Sequence, residues 1–534
     1  MIRRRLPKAI LRSFLALAVT AVPVVGVQLA GLEGASAGVT VTGTGSSYAA
    51  VAINNWVGQV SSSQGLSINY QTQSSVLGLD GFALNQVDFG ASEIGYSSNQ
   101  ASSTPPPGTY QYMPDVAGAE CLMYQLPSAT QQPISNLQLN SSVMMGIFSG
   151  KITNWNDPAI AAINPGVALP NHSIVAVIRS DASGDNYIFS QYLLTLQTGA
   201  WQAFASAVGF SPTNSATALW PVPTGGAPAG YPGAGNFVGQ SGSDNASNYV
   251  AAQPYSITYV ETAYAILHNQ QCAAVQNASG HFVQPSSLAD AIALKQDVLQ
   301  ADLEQDLTGV FTAGDPAAYP ISAYSYLITK LQAGMSPDKA QTLAKFIEFF
   351  ACLGQVSAGQ LGYSPIPSIL IQYDFAAVQR LGITPPPINA QTCPNPTLTD
   401  PSLDVGGPIV NSGGPDAGGG ASVSAVAVTQ TDPNAASANE RRLAKKLLAK
   451  KKGGLQAAPG QQFGTALDAE VGKLLNLSGP TAGILFGTLA FLALLVVPPL
   501  VLAMRRRQKL GAAAHEGATS PLGDEPLDQE GTDK

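Results

Sequence analysis

The run from Thr481 to Met504 is uncharged and mostly apolar, and it limits what this chain can become more than any other feature. A helix rising about 1.5 Å per residue would extend about 36 Å over that run, enough for a hydrocarbon core of about 30 Å. Arg505, Arg506, Arg507 and Lys509 follow at once. Basic residues favour the cytoplasmic side, so the C-terminus is expected inside and the preceding chain outside. Pro498-Pro499 would kink the span, which membrane helices tolerate. The N-terminus agrees. Arg3, Arg4, Arg5, Lys8 and Arg12 precede an apolar stretch from about Phe14 to Leu29, and Ala35-Ser36-Ala37 offers a small-x-small cleavage site. Residues 1–37 therefore read as a secretory signal, residues 481–504 as a single transmembrane helix and residues 505–534 as a short cytoplasmic tail. No Cys stands near the cleavage site, so a lipid anchor is not expected.

The region between these ends is acidic. The chain carries a formal net charge of −8, but residues 39–400 hold only Lys151, Arg179, Lys295, Lys330, Lys339, Lys345 and Arg380 against twenty acids, near −13. Nucleic-acid binding needs a basic footprint, and this region lacks one. The four cysteines, Cys121, Cys272, Cys352 and Cys393, can form up to two disulfides in an exported chain. Three pairings are open. The four histidines are scattered and no CxxC occurs, so neither a metal nor a cofactor is expected.

Short β-branched runs alternate with longer segments of helical periodicity. Val39–Thr42, Leu66–Tyr70, Val87–Ala91 and Ile174–Ile178 read as strands. Residues 48–60, 187–196, 287–307 and 336–353 read as helices. The alternation indicates an α/β architecture, and residues 38–395 exceed what one ordinary core accommodates, so two lobes are expected. Residues 396–480 read as a flexible linker, rich in Gly, Ala, Ser and Pro at its start. Within it, 441–452 holds seven basic residues, either a solvated spacer or a contact for anionic lipid or wall polymer.

Three segments place hydroxyl or glycine residues after a strand, where a helix begins: Thr42 to Tyr48, Gln73 to Gly78 and Arg179 to Asn186. Helix N-termini present free N–H donors and partial positive charge, which suits anions. Arg179 follows the apolar run 174–178 directly and can fork onto a tetrahedral oxyanion; the alternative is an ion pair with Asp181 or another local acid. Arg380 reads as an exposed helical residue.

These strings resemble the phosphate-binding protein of Pst-type ABC importers, in the periplasmic-binding-protein superfamily, type II. The resemblance runs from about Val41 to Pro367. It is carried by Thr42-Gly43-Thr44-Gly45-Ser46-Ser47-Tyr48, Asn69-Tyr70-Gln71, Val87-Asp88-Phe89-Gly90-Ala91-Ser92-Glu93, Gly146 to Ile152, Asn154 to Pro158, Arg179-Ser180-Asp181-Ala182-Ser183-Gly184 and Leu361-Gly362-Tyr363. It implies a two-lobed α/β fold with a central ligand cleft. One lobe would hold about 39–126 and 319–395, the other about 127–318. It also implies phosphate or a related oxyanion as ligand, an ABC permease as partner, a monomer, and a binding domain outside the cell. The ligand set it implies is Ser47, Tyr48, Ser75, Glu93, Arg179, Ser183 and Gly184, with Asp181 supporting the Arg.

Two residues depart from the resemblance. Glu93 stands where an Asp is usual, and Asp185 where a Thr donor is usual. Two like charges about 4 Å apart repel by about 4 kcal/mol at an effective dielectric of about 20. Asp185 therefore either caps the following helix and points away, or marks a changed ligand. The competing reading is a surface interaction or sensory protein that reuses the fold with a changed or lost ligand. Catalysis is not expected, since no His lies within the Arg179 loop and no nucleophile motif is present.

Overall fold

The computed structural model describes residues 39–330 and 335–410. The expected signal peptide, most of the linker with its basic segment, the membrane span and the tail lie outside them. Among the described residues no helix is long and apolar enough to cross a membrane.

Nine strands make the main sheet: β1 (Val41–Gly45), β2 (Ile68–Thr72), β3 (Phe89–Ser92), β4 (Tyr110–Gln125), β5 (Val175–Arg179), β6 (Val238–Gln240), β7 (Ser256–Glu261), β8 (Gln271–Cys272) and β9 (Ser322–Lys330). Their order is β2-β1-β3-β9-β4-β7-β5-β6, with β8 also on β4. β1 pairs parallel with β2 and β3, and β5 pairs parallel with β6 and β7. The antiparallel strands β9 and β4 join these two parallel triplets. The result is a mixed α/β sheet whose four expected strands each begin and end one to three residues later than their apolar runs. β1 closes on Gly45 at φ +137, where a Cβ would lie 2.0 Å from the carbonyl oxygen of Ala91, so only glycine lets the chain turn there.

The helices that matter to the site follow strands. They are α1 (Ala50–Gln64), α2 (Ser75–Ala83), α3 (Gly184–Leu196) and α4 (Gly242–Ala252). Ser74 caps α2 by accepting from the Leu77 amide at 3.2 Å, and Ser183 caps α3 by accepting from Asn186 at 3.1 Å. α1 buries Trp56, whose indole N–H donates to the Gly354 carbonyl at 3.0 Å.

Two expectations change. The helix expected over 287–307 ends early, as α5 (Ser287–Leu294). Val298–Leu299 instead pairs antiparallel with Gln305–Asp306, and Leu299 also exchanges hydrogen bonds with Pro408 and Val410 at 3.0 and 2.8 Å. Tertiary pairing has overridden the helical periodicity. The same bonds show that residues 396–410, expected in the linker, lie on the body; Thr397 is buried and the Ser368 amide donates to Asp404. Beyond α6 (Pro337–Ala351) and α7 (Ser368–Arg380), the pairings left open in the sequence resolve as Cys121–Cys272, tying β4 to β8, and Cys352–Cys393.

Candidate ligand-binding site

The carboxyl ends of both parallel triplets point to one place, where open α/β sheets bind ligands. Ser46 and Ser47 follow β1, Ser75 follows β2 and Glu93 follows β3. Arg179 ends β5, Ser243 follows β6 and Glu261 ends β7. All seven are buried. The N-termini of α2, α3 and α4 converge there, and each contributes partial positive charge.

Arg179 is the centre. Its Nε and Nη2 donate to the two oxygens of Asp181 at 2.8 and 2.6 Å, a bidentate pair. Nη1 donates to Ser243 Oγ at 2.9 Å and also to Asp185 Oδ2. Against the penalty of burial, the Arg179 hydrogen bonds hold Asp181 below the usual carboxylate range. Burial opposes the Arg179 charge, but Asp185 and Asp181 together keep the guanidinium protonated well above its ordinary value.

Residues from the two triplets touch. Ser75 Oγ donates to Glu93 Oε1 at 2.7 Å and accepts from the Gly184 amide at 2.9 Å. Ser46 Oγ donates to Glu93 Oε2 at 2.5 Å. The hydroxyls of Ser47 and Ser243 lie 2.9 Å apart. Desolvation, then the charge of Asp185, pushes Glu93 up to about 7 despite the Ser46 and Ser75 hydrogen bonds. A cavity of about 470 Å³, lined by Ser47, Gln73, Ser74, Leu77, Asp181 and Ser243 among others, leads to this cluster.

Every residue expected from the sequence lies in or beside it. Ser47, Ser75, Glu93, Arg179, Asp181, Gly184 and Asp185 are joined by the contacts above. Ser183 spends its hydroxyl on the α3 cap. Tyr48 is buried, with its amide donating to Ser46 Oγ at 2.8 Å and its carbonyl accepting from Tyr363. Asp185 does not cap α3; its carboxylate faces Arg179. Sequence reasoning missed Ser46, Ser243, Glu120 and Glu261. Ser241-Gly242-Ser243 repeats the strand-then-hydroxyl pattern, but it follows a strand of only three residues. Glu120 was visible as the one acid inside the apolar run 116–124.

An Arg with a supporting acid, paired hydroxyls, an amide at a helix start and a buried carboxyl can hold a tetrahedral oxyanion and accept a proton from it.

Known proteins point the same way. The PBP superfamily domain matches residues 32–352. The phosphate-binding protein PstS of Pasteurella multocida is 30% identical over 335 residues, covering 62% of this chain and 88% of that protein. PstS of Xylella fastidiosa strain 9a5c is 31% identical over 335 residues, covering 62% and 83%. PstS3 of Mycobacterium bovis strain BCG is 29% identical over 316 residues, covering 57% and 76%. The chain belongs to the periplasmic-binding-protein (PBP) superfamily and is a PstS-like member of it.

Proposed function

We propose that this protein is an exported, membrane-anchored receptor that captures phosphate outside the cell and hands it to an ABC permease. The observation that carries the reading is the meeting of Arg179, Ser47, Ser75, Glu93 and the Gly184 amide at the carboxyl ends of two parallel triplets. Arg179 supplies the positive charge, the hydroxyls and the amide supply donors, and Glu93 accepts a ligand hydroxyl. An oxyanion without a hydroxyl would leave Glu93 facing an anionic oxygen, so sulfate is disfavoured.

The cycle is one of closure and release. The lobes, about 39–126 with 319–395 against about 127–318, close over the ligand. The contacts Ser75–Gly184 and Ser47–Ser243 then span them. Binding energy realised only in the closed form drives that motion. A permease would reopen the lobes, so no covalent step is required. The relatives named as phosphate-binding proteins support this assignment, and the apolar run 481–504 supports the anchor.

Equilibrium dialysis of the purified full-length protein against radiolabelled phosphate tests it. Retention of phosphate by the native protein, lost in Arg179→Ala, is the expected result; equal retention by both would remove Arg179 from the site.

A further inference from the structure

Taken as a phosphate receptor, a reading on which the present inference depends, the site holds more acid than a phosphate dianion needs. Glu120 projects from β4 in register with Glu261 of β7 and is fully buried. Its carboxylate oxygens meet no N–H or hydroxyl donor; the side chain they meet is the Asp185 carboxylate. Asp185 Oδ1 and Glu261 Oε2 are likewise buried without an N–H or hydroxyl donor. The groups that face Asp185 come from several elements: Arg179 at the end of β5, Glu93 after β3, and Glu120 on β4. Tyr259 and Glu261 face it from β7, with Tyr264 just beyond and Tyr363 from the segment before α7. Arg179 is the sole cation of this set. Burial, then the charge of Asp185, drives both Glu120 and Glu261 well above the ordinary carboxylate range, toward their protonated forms.

We propose that Asp185, backed by Glu120 and Glu261, makes the site proton-demanding, so that it takes phosphate as the diprotonated monoanion in preference to the dianion. The geometry gives the reason. Asp185 Oδ2 already holds Nη1 of Arg179, the nitrogen that also reaches Ser243. An oxyanion arriving at Arg179 must place an oxygen beside that carboxylate. Two anionic oxygens sharing one guanidinium repel unless a proton lies between them. Glu93 accounts for one ligand hydroxyl and Asp185 for a second. The extra proton arrives on phosphate, the closed complex contains it, and binding and proton uptake are linked. Asp185 is thus a specificity residue, and Glu120 and Glu261, buried beside it and driven toward their protonated forms, are positioning residues.

The test is titration calorimetry of the full-length protein with inorganic phosphate at about pH 6 and about pH 8, in buffers of different ionisation enthalpy so that protons taken up are counted. Native protein, Asp185→Thr, Asp185→Asn and Glu120→Gln are compared, with the Asn variant covering any failure of the Thr variant to fold. The native affinity is expected to change little below the second pKa of phosphate, about 7, and to weaken by up to about tenfold in all by about pH 8. Asp185→Thr or Asp185→Asn should bind at least about tenfold tighter than native at about pH 8 and take up about one proton fewer. Glu120→Gln should move in the same direction by less. Equal affinities and equal proton counts in native and Asp185 variants would overturn the inference while leaving the phosphate site standing. No phosphate binding by folded native and folded variant alike would overturn the phosphate reading and this inference with it.

Discussion

Gly184 shows how closely the halves of the site meet. A Cβ there would lie 2.0 Å from Glu93 Oε1, while its amide donates to Ser75. Gly184→Ala must push Glu93 or α3 aside, an overpacking that costs about 1–3 kcal/mol. Phosphate affinity is therefore expected to fall about tenfold or more with the far-ultraviolet circular dichroism unchanged; dialysis of native and variant proteins checks it. The Arg179–Asp181 pair was legible because the Arg follows an apolar strand and the acid lies two residues on. The second acid on Arg179 was not decided by sequence. Position 185 fits a helix first turn as well as a ligand contact, and only the cap made by Ser183 leaves Asp185 free to turn inward. Glu120 stood out as an acid in an apolar run, but its pairing with Glu261 did not, because strand register is set by tertiary pairing, which local sequence does not encode.

At the scale of elements, the disulfides are the clearest stabilising devices. Cys121–Cys272 closes a sequence separation of 151 and Cys352–Cys393 one of 41. Loop-closure entropy assigns them about 5 and about 4 kcal/mol. Reduction should lower the melting temperature markedly, and Cys121→Ala with Cys272→Ala should lower it more than the Cys352/Cys393 double variant; scanning calorimetry ranks them. Four strands and parts of four helices could be read from β-branched runs and 3.6-residue spacing, because those signals are local. The strands Val298–Leu299 and Gln305–Asp306 could not, since the pairing of Leu299 with Pro408 and Val410 comes from over a hundred residues away. The antiparallel insertion of β9 between β3 and β4 is equally non-local.

For the whole molecule, buried acid sets the response to pH. Desolvation lifts Asp115 to about 7 and Asp290 to about 8, and desolvation with the charge of Asp185 lifts Glu93 to about 7. Each binds its proton more tightly folded than unfolded. The stability they contribute is complete below the unfolded carboxylate range and is lost as pH rises through about 7 to 8. Asp181 and Asp88 are held low by Arg179 and Lys339 against their burial, so their contribution is constant above the ordinary carboxylate range and disappears only in stronger acid. The melting temperature of the full-length protein should be higher by a few degrees at about pH 5.5 than at about pH 8.5; a higher value at the alkaline end would contradict the protonated state of these groups.

Phosphate capture at Arg179 is tested most directly by calorimetric titration of the full-length protein with phosphate and, separately, with sulfate at about pH 8, above the value of about 7 to which Glu93 is lifted. Binding of one phosphate per chain at micromolar affinity or tighter, with no heat from sulfate, is the predicted result. A folded protein that releases no binding heat with phosphate, or that binds sulfate equally well, would contradict it.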